Sequence, residues 1–151
     1  MDVFGSVDEA LDFAIGKEQE ASDFYTDLAG KMEKPWMAEL FRDFAKEEQG
    51  HKAKLTAIKG DKSLAPAAKK VADLKIGDYL IDVEPEPNMD YQDALIVAMK
   101  SEKAAFRLYT DLAASTEDTT LQGTFQSLAQ EEAKHKLRLE LEYDEFVLKE
   151  N

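Results

Sequence analysis

The sequence predicts an all-α protein, a four-helix bundle built from two repeated helical hairpins. Three observations carry that expectation. Apolar residues recur in steps of three and four along four long stretches, which is the period of a single helix face. Glycine (7) and proline (4) are scarce, and the prolines fall outside those stretches or at their starts. Shifting the chain by 84 residues superposes it on itself. Residues 14–30 then match 98–114 at 8 of 17 positions, and 40–55 match 124–139 at 7 of 16 without a gap.

Each element has a local cause. Ser6-Val7-Asp8-Glu9 reads as a capping box, in which the serine hydroxyl and the glutamate satisfy free backbone amides. The first helix should run from there to about Met32, with Leu11, Ile15, Glu18, Ser22, Tyr25, Ala29 and Met32 inward. Lys34-Pro35 ends it and starts the next, because proline suits a first helical turn and disfavours helix in the residue before it. The second helix carries Met37, Phe41, Phe44, Glu48, His51, Leu55 and Ile58 inward and stops near Gly60.

Residues 61–88 hold Pro66, Gly77, Pro85 and Pro87, with a short helix expected around 66–74 and an extended stretch near 79–83. The third helix begins after Asn88-Met89-Asp90 and turns Leu95, Met99, Glu102, Phe106, Tyr109 and Ala113 inward. A polar turn over 115–119 leads to the fourth, from about Thr120 to Leu148, with Leu121, Phe125, Leu128, Glu132, His135, Leu139 and Phe146 inward. An antiparallel connection needs only a few residues, so the 28 between the hairpins suit a crossover that makes helices two and three parallel.

A chain of 151 residues fits one domain: hairpin one at about 7–60, the crossover at 61–88, hairpin two at about 90–149. Hydrophobic residues at 44% and charged residues at 34% fit a soluble globular protein. A net charge of −13 argues against nucleic acid, which needs a basic face. Zero cysteines exclude disulfides, cysteine-ligated metal and a cysteine nucleophile. Apolar runs are too short for a membrane span, and residues 1–16 hold four acids and no base, unlike a signal peptide. A cytoplasmic location with no membrane partner is the resulting expectation.

Six residues break the rule of an apolar core. Glu18 and Glu102 stand where the register asks for leucine or isoleucine, and Glu48-x-x-His51 and Glu132-x-x-His135 each fill two successive inward places. Folding back at Lys34 sets Glu18 level with residue 50, and folding back at Asp118 sets Glu102 level with residue 134, so all six belong to one layer. Burying an unpaired carboxylate costs several kcal/mol, so four facing one another need their charge cancelled. Protonation can do this at a large pKa shift; two divalent first-row metals do it better with the same atoms as ligands, and oxygen-rich donors favour iron or manganese over copper or zinc. Glu47, Glu131 and Glu20 point away from the layer and read as surface charges. Gly50 offers room for a close approach to His51, and Trp36 reads as an end-cap of the core or an oligomer contact.

With those residues in place, the sequence resembles the rubrerythrin and ferritin-like di-iron carboxylate family across all four helices. The resemblance implies a ferritin-like four-helix bundle holding two iron ions. It makes Glu18 and His51 terminal ligands of one metal, Glu102 and His135 of the other, and Glu48 and Glu132 bridges. Tyr25 and Tyr109 match tyrosines that stand beside the centre, and are the candidate catalytic residues. Rubrerythrins proper carry a further carboxylate three residues after the third-helix glutamate; here that place is Ala105, with Ala21 as its repeat mate, so the family's ligand-switching cycle lacks its residue. With no cysteine for a rubredoxin domain, electrons would come from a separate donor protein. A fifth helix of the cage-forming kind is not expected, and Gln49 stands in place of a haem-binding methionine.

The implied activity is reduction of hydrogen peroxide, or of dioxygen, at the di-iron centre. A ferroxidase or iron-handling role and a manganese catalase-like disproportionation of peroxide remain alternatives. A homodimer is expected, and the long crossover would allow hairpins to be exchanged between chains, since each hairpin offers half a site.

Overall fold

The structure, a computed structural model, describes residues 7–60 and 90–148. Four α-helices follow in the order α1 (Val7–Lys31), α2 (Pro35–Gly60), α3 (Tyr91–Ser115) and α4 (Thr119–Tyr143), and a π-helical turn over Asp144–Leu148 continues α4. No strand occurs among the described residues. Ser6 of the expected capping box, the short helix around 66–74, the extended stretch near 79–83 and the crossover itself lie outside the described residues.

Helix ends follow local chemistry. Asp90 caps α3, its carboxylate accepting from Asp93 N at 2.8 Å. Asp118 caps α4 by accepting from Thr120 N at 2.9 Å and Leu121 N at 3.0 Å, which satisfies two of the amides that a helix start leaves free. Pro35 opens α2, where Met37 N and Ala38 N donate back to Lys34 O.

Packing shows how the hairpins are joined. At one end Trp36 and Phe41, near the start of α2, meet Tyr91 at the start of α3, with ring centroids 5.4 and 5.9 Å apart. At the other end Leu55 of α2 shares a core cluster with Leu108 and Leu112 of α3. Helices α2 and α3 therefore run parallel, as a crossover demands, while each hairpin is antiparallel. Both hairpins of one chain pack together, so exchange between chains is not needed to complete the bundle.

The core is divided in two. One cluster gathers Leu11, Leu55, Leu108, Leu112, Phe125 and Leu128. The other gathers Leu28, Phe41, Phe44, Leu95 and Leu139, with Trp36 lying over its outer end against Tyr91 and Phe146. Between them, at mid-height, the apolar filling is replaced by carboxylates and imidazoles. That interruption is what the fold positions. No helix among the described residues is long and apolar enough to cross a membrane.

Two expectations need correction. Phe106 is 38% exposed rather than inward. Its repeat mate Ser22 is buried and donates its hydroxyl to Ala45 O at 3.2 Å, a bond across α1 and α2 that a phenyl ring cannot make. The fourth helix also gives up α-geometry after Tyr143, and the wider π turn brings Phe146 back to Tyr91 (4.9 Å between centroids).

Candidate metal centre

Helical spacing delivers the six side chains to one layer. On α1, the steps of three and four from Leu11 put Glu18 on the buried face, and Glu102 is reached the same way from Leu95. On α2 and α4 the three-residue step carries Glu48 and His51, and Glu132 and His135, to adjacent inward places. The four glutamates are each no more than 2% exposed; the His135 side chain is 5% exposed and that of His51 12%. All six residues expected from the sequence meet here.

The donor atoms form two groups. Glu18, Glu48, His51 and Glu132 offer ligand atoms lying within 4.8 Å of one another, and so do Glu48, Glu102, Glu132 and His135. Glu48 and Glu132 belong to both. His51 Nδ1 is 2.8 Å from Glu132 Oε1 and 3.4 Å from Glu18 Oε2, while His135 Nδ1 is 3.1 Å from Glu48 Oε1 and 3.4 Å from Glu102 Oε1. Both imidazoles thus aim the same nitrogen at the carboxylates, and their rings lie nearly parallel, 6.0 Å apart.

Hydrogen bonding leaves this layer unfinished. Among the described residues, every buried side-chain polar atom without a hydrogen-bond partner belongs to it: Glu18 Oε2, Glu48 Oε1, His51 Nδ1, Glu102 Oε2, both oxygens of Glu132 and His135 Nδ1. Buried polar atoms are nearly always paired, so a converging set of orphans calls for a positive ion between them. Carboxylate oxygens with two imidazole nitrogens can hold two first-row divalent metals.

Charge distribution points the same way. Burial pushes the Glu48 and Glu132 carboxyls well above the usual range, with the neighbouring glutamates adding to the rise and His135 opposing it at Glu48. At His135 burial alone would push the imidazole down; the adjacent Glu102 and Glu48 outweigh it and bring it up to about 11. The close approach of the four carboxylates thus favours positive charge on the groups beside them.

Tyr25 and Tyr109 complete the site across the bundle. Tyr25 on α1 donates to Glu102 Oε1 on α3 at 2.5 Å, and Tyr109 on α3 donates to Glu18 Oε1 on α1 at 2.6 Å. Each tyrosine therefore occupies one oxygen of a glutamate and leaves the other, Oε2, as the orphan. Burial and the nearby carboxylates raise both phenols, which keeps them as donors.

One residue read as a plain surface charge takes part. Glu47 is half exposed, yet its carboxylate bonds His135 Nε2 across the bundle. Its repeat mate Glu131 stays at the surface beside Lys134 (3.4 Å), and Glu20 pairs with Lys17 (3.2 Å). The available signal was the pair of acids before each Glu-x-x-His histidine, present in both repeats. Gly50 faces open space, so no neighbour requires its missing side chain.

Fold and site together define a class: ferritin-like four-helix proteins with a carboxylate–histidine cluster inside the bundle. The family model for rubrerythrin matches residues 9–143, and the chain belongs to the rubrerythrin family. A hypothetical protein from Pyrococcus furiosus is similar in structure, with a TM-score of 0.69 and 28% identity over 92% of this chain and 89% of that one. A Thermotoga maritima protein, solved as a candidate ferritin-like diiron-carboxylate protein, shares the fold with a TM-score of 0.80 and 19% identity over 96% of this chain and 99% of that one. No curated protein matches the sequence.

Proposed function

We propose that this chain is a di-iron oxidoreductase that reduces hydrogen peroxide, with dioxygen as the slower oxidant and a separate protein as electron donor. The observation that carries the reading is the pair of overlapping ligand groups that share Glu48 and Glu132 and contain every orphaned buried polar atom of the described side chains. In this reading Glu18 and His51 would hold one iron and Glu102 and His135 the other, with Glu48 and Glu132 common to both ligand groups. Four carboxylates against two divalent ions leave the layer neutral. A bound iron pair supplies two electrons and open coordination positions, the requirements for turning one peroxide and two protons into two waters.

The chain's own residues prepare the place. Tyr25 and Tyr109 hold Oε1 of Glu102 and Glu18 and leave Oε2 of each without a hydrogen bond. The apolar clusters above and below keep bulk water from competing for the carboxylates. His51 is the more exposed of the two imidazoles, 12% against 5% for His135.

The test is a stopped-flow comparison on anaerobic, ferrous-loaded protein. Peroxide is expected to oxidise the ferrous form with one equivalent per iron pair, read as growth of ferric absorption in the near ultraviolet, faster than dioxygen does, with iron retained. A ferroxidase reading is favoured by Ala105 standing where rubrerythrins proper have their further carboxylate. It gains if dioxygen reacts as fast and iron then leaves. Dioxygen evolved from peroxide by manganese-loaded protein without reductant would replace both.

A further inference from the structure

The two halves of the centre are related by sequence repetition, but the structure treats their histidines differently. His135 is held on two sides by α2. Phe44 stacks on its ring, with centroids 4.4 Å apart and planes 17° from parallel, and Glu47 bonds Nε2, the nitrogen on the side away from the carboxylate layer. An imidazole that donates Nε2–H to a carboxylate keeps the Nδ1 lone pair for a metal and cannot rotate about its own axis.

His51 has neither restraint. The repeat mate of Phe44 is Leu128, which has no ring to stack. Glu131, the mate of Glu47, lies beside Lys134 instead. Lys134 occupies the place that Gly50 occupies in the first hairpin, three residues after the glutamate, so α2 has no lysine there to draw Glu47 away. The carboxylate contacts of His51 among the described residues run through Nδ1, and its side chain is 12% exposed against 5% for His135.

We propose that Glu47 is a positioning residue for His135, and that it makes the two halves bind metal unequally. The half built on Glu102 and His135 fills first and holds its ion more tightly; the half built on Glu18 and His51 fills second. The inference rests on the metal-centre reading above and adds an order of loading to it. Glu47 acts through the imidazole and does not itself ligate.

Cobalt(II) titration of metal-free, full-length protein tests this, followed by the visible absorption of bound cobalt and by calorimetry. The wild type should take up two ions in two resolved steps. Glu47→Ala should weaken the tighter step by about tenfold to a hundredfold, the usual effect of losing a histidine's carboxylate partner, and merge it with the weaker one. Glu47→Gln, whose amide oxygen still accepts from Nε2–H, should restore most of the separation, and Glu131→Ala should leave both steps in place. Histidine nitrogen chemical shifts of the zinc-loaded protein should show the Nε2–H signature of His135 altered in Glu47→Ala and kept in Glu47→Gln, a change that a merely structural role would not produce. Two unchanged steps in Glu47→Ala, or the same loss in Glu131→Ala, would overturn the inference while leaving the metal centre standing. Failure of the wild type to take up cobalt would overturn the metal-centre reading itself.

Discussion

Glu132 has both carboxylate oxygens buried without a hydrogen bond, with His51 Nδ1 2.8 Å from Oε1, a state that is costly unless further positive charge lies alongside. Replacing it with an apolar residue of similar length should therefore have opposite effects with and without metal. Glu132→Met is expected to raise the stability of the metal-free protein by about 1–4 kcal/mol in denaturant titrations and to abolish the gain that metal confers. Tyr25→Phe works the other way: it leaves Glu102 Oε1 without its donor and should cost about 1.5–3 kcal/mol in the metal-loaded protein. At this scale the six ligand candidates were legible because each charge fell on a stripe that should have been apolar. Glu47 was not legible as a contact of His135. Its angular position on α2 points outward, and only the approach of the second hairpin brings His135 to it.

Among the elements, boundaries governed by side chains close in sequence were the easiest to anticipate. Asp118 both marks the turn and caps α4 with two bonds, so Asp118→Ala should lower stability by about 1 kcal/mol, measured by thermal or denaturant unfolding. The parallel run of α2 and α3 followed from a connection too long for a hairpin, and the contacts of Trp36 and Phe41 with Tyr91 bear it out. Phe106 and the π turn were missed for a common reason. Periodicity reports which face a residue is on, but not how fully neighbouring elements cover that face. The same repeat position accepts Ser22 and turns Phe106 outward. Past Tyr143 the backbone widens where Phe146 finds Tyr91 and Trp36, partners from α3 and α2 that no local pattern reveals.

For the molecule as a whole, a charged layer between two apolar clusters links stability to pH and to metal. In the metal-free protein Glu48 and Glu132 are pushed up from an ordinary value of 4.5, burial being the largest cause. The folded chain then binds more protons than the unfolded one above about pH 4.5, and stability falls as pH rises through the folded values. His135, raised from 6.5 to about 11, shifts stability in the same direction across that interval. Metal replaces these protons as the counter-charge. Between pH 5 and pH 8 the melting temperature of metal-free protein should therefore decline, and the rise produced by ferrous or manganous ion should grow. A metal effect that shrank over that range would contradict a carboxylate site.

The most direct measurement is a crystal structure of iron-loaded protein with anomalous scattering collected at the iron edge. Two peaks are expected at mid-height of the bundle, one against Glu18 and His51, the other against Glu102 and His135, with Glu48 and Glu132 between them. A map with no iron in that layer, or with iron bound only at surface acids while the six side chains pair among themselves, would contradict the central claim.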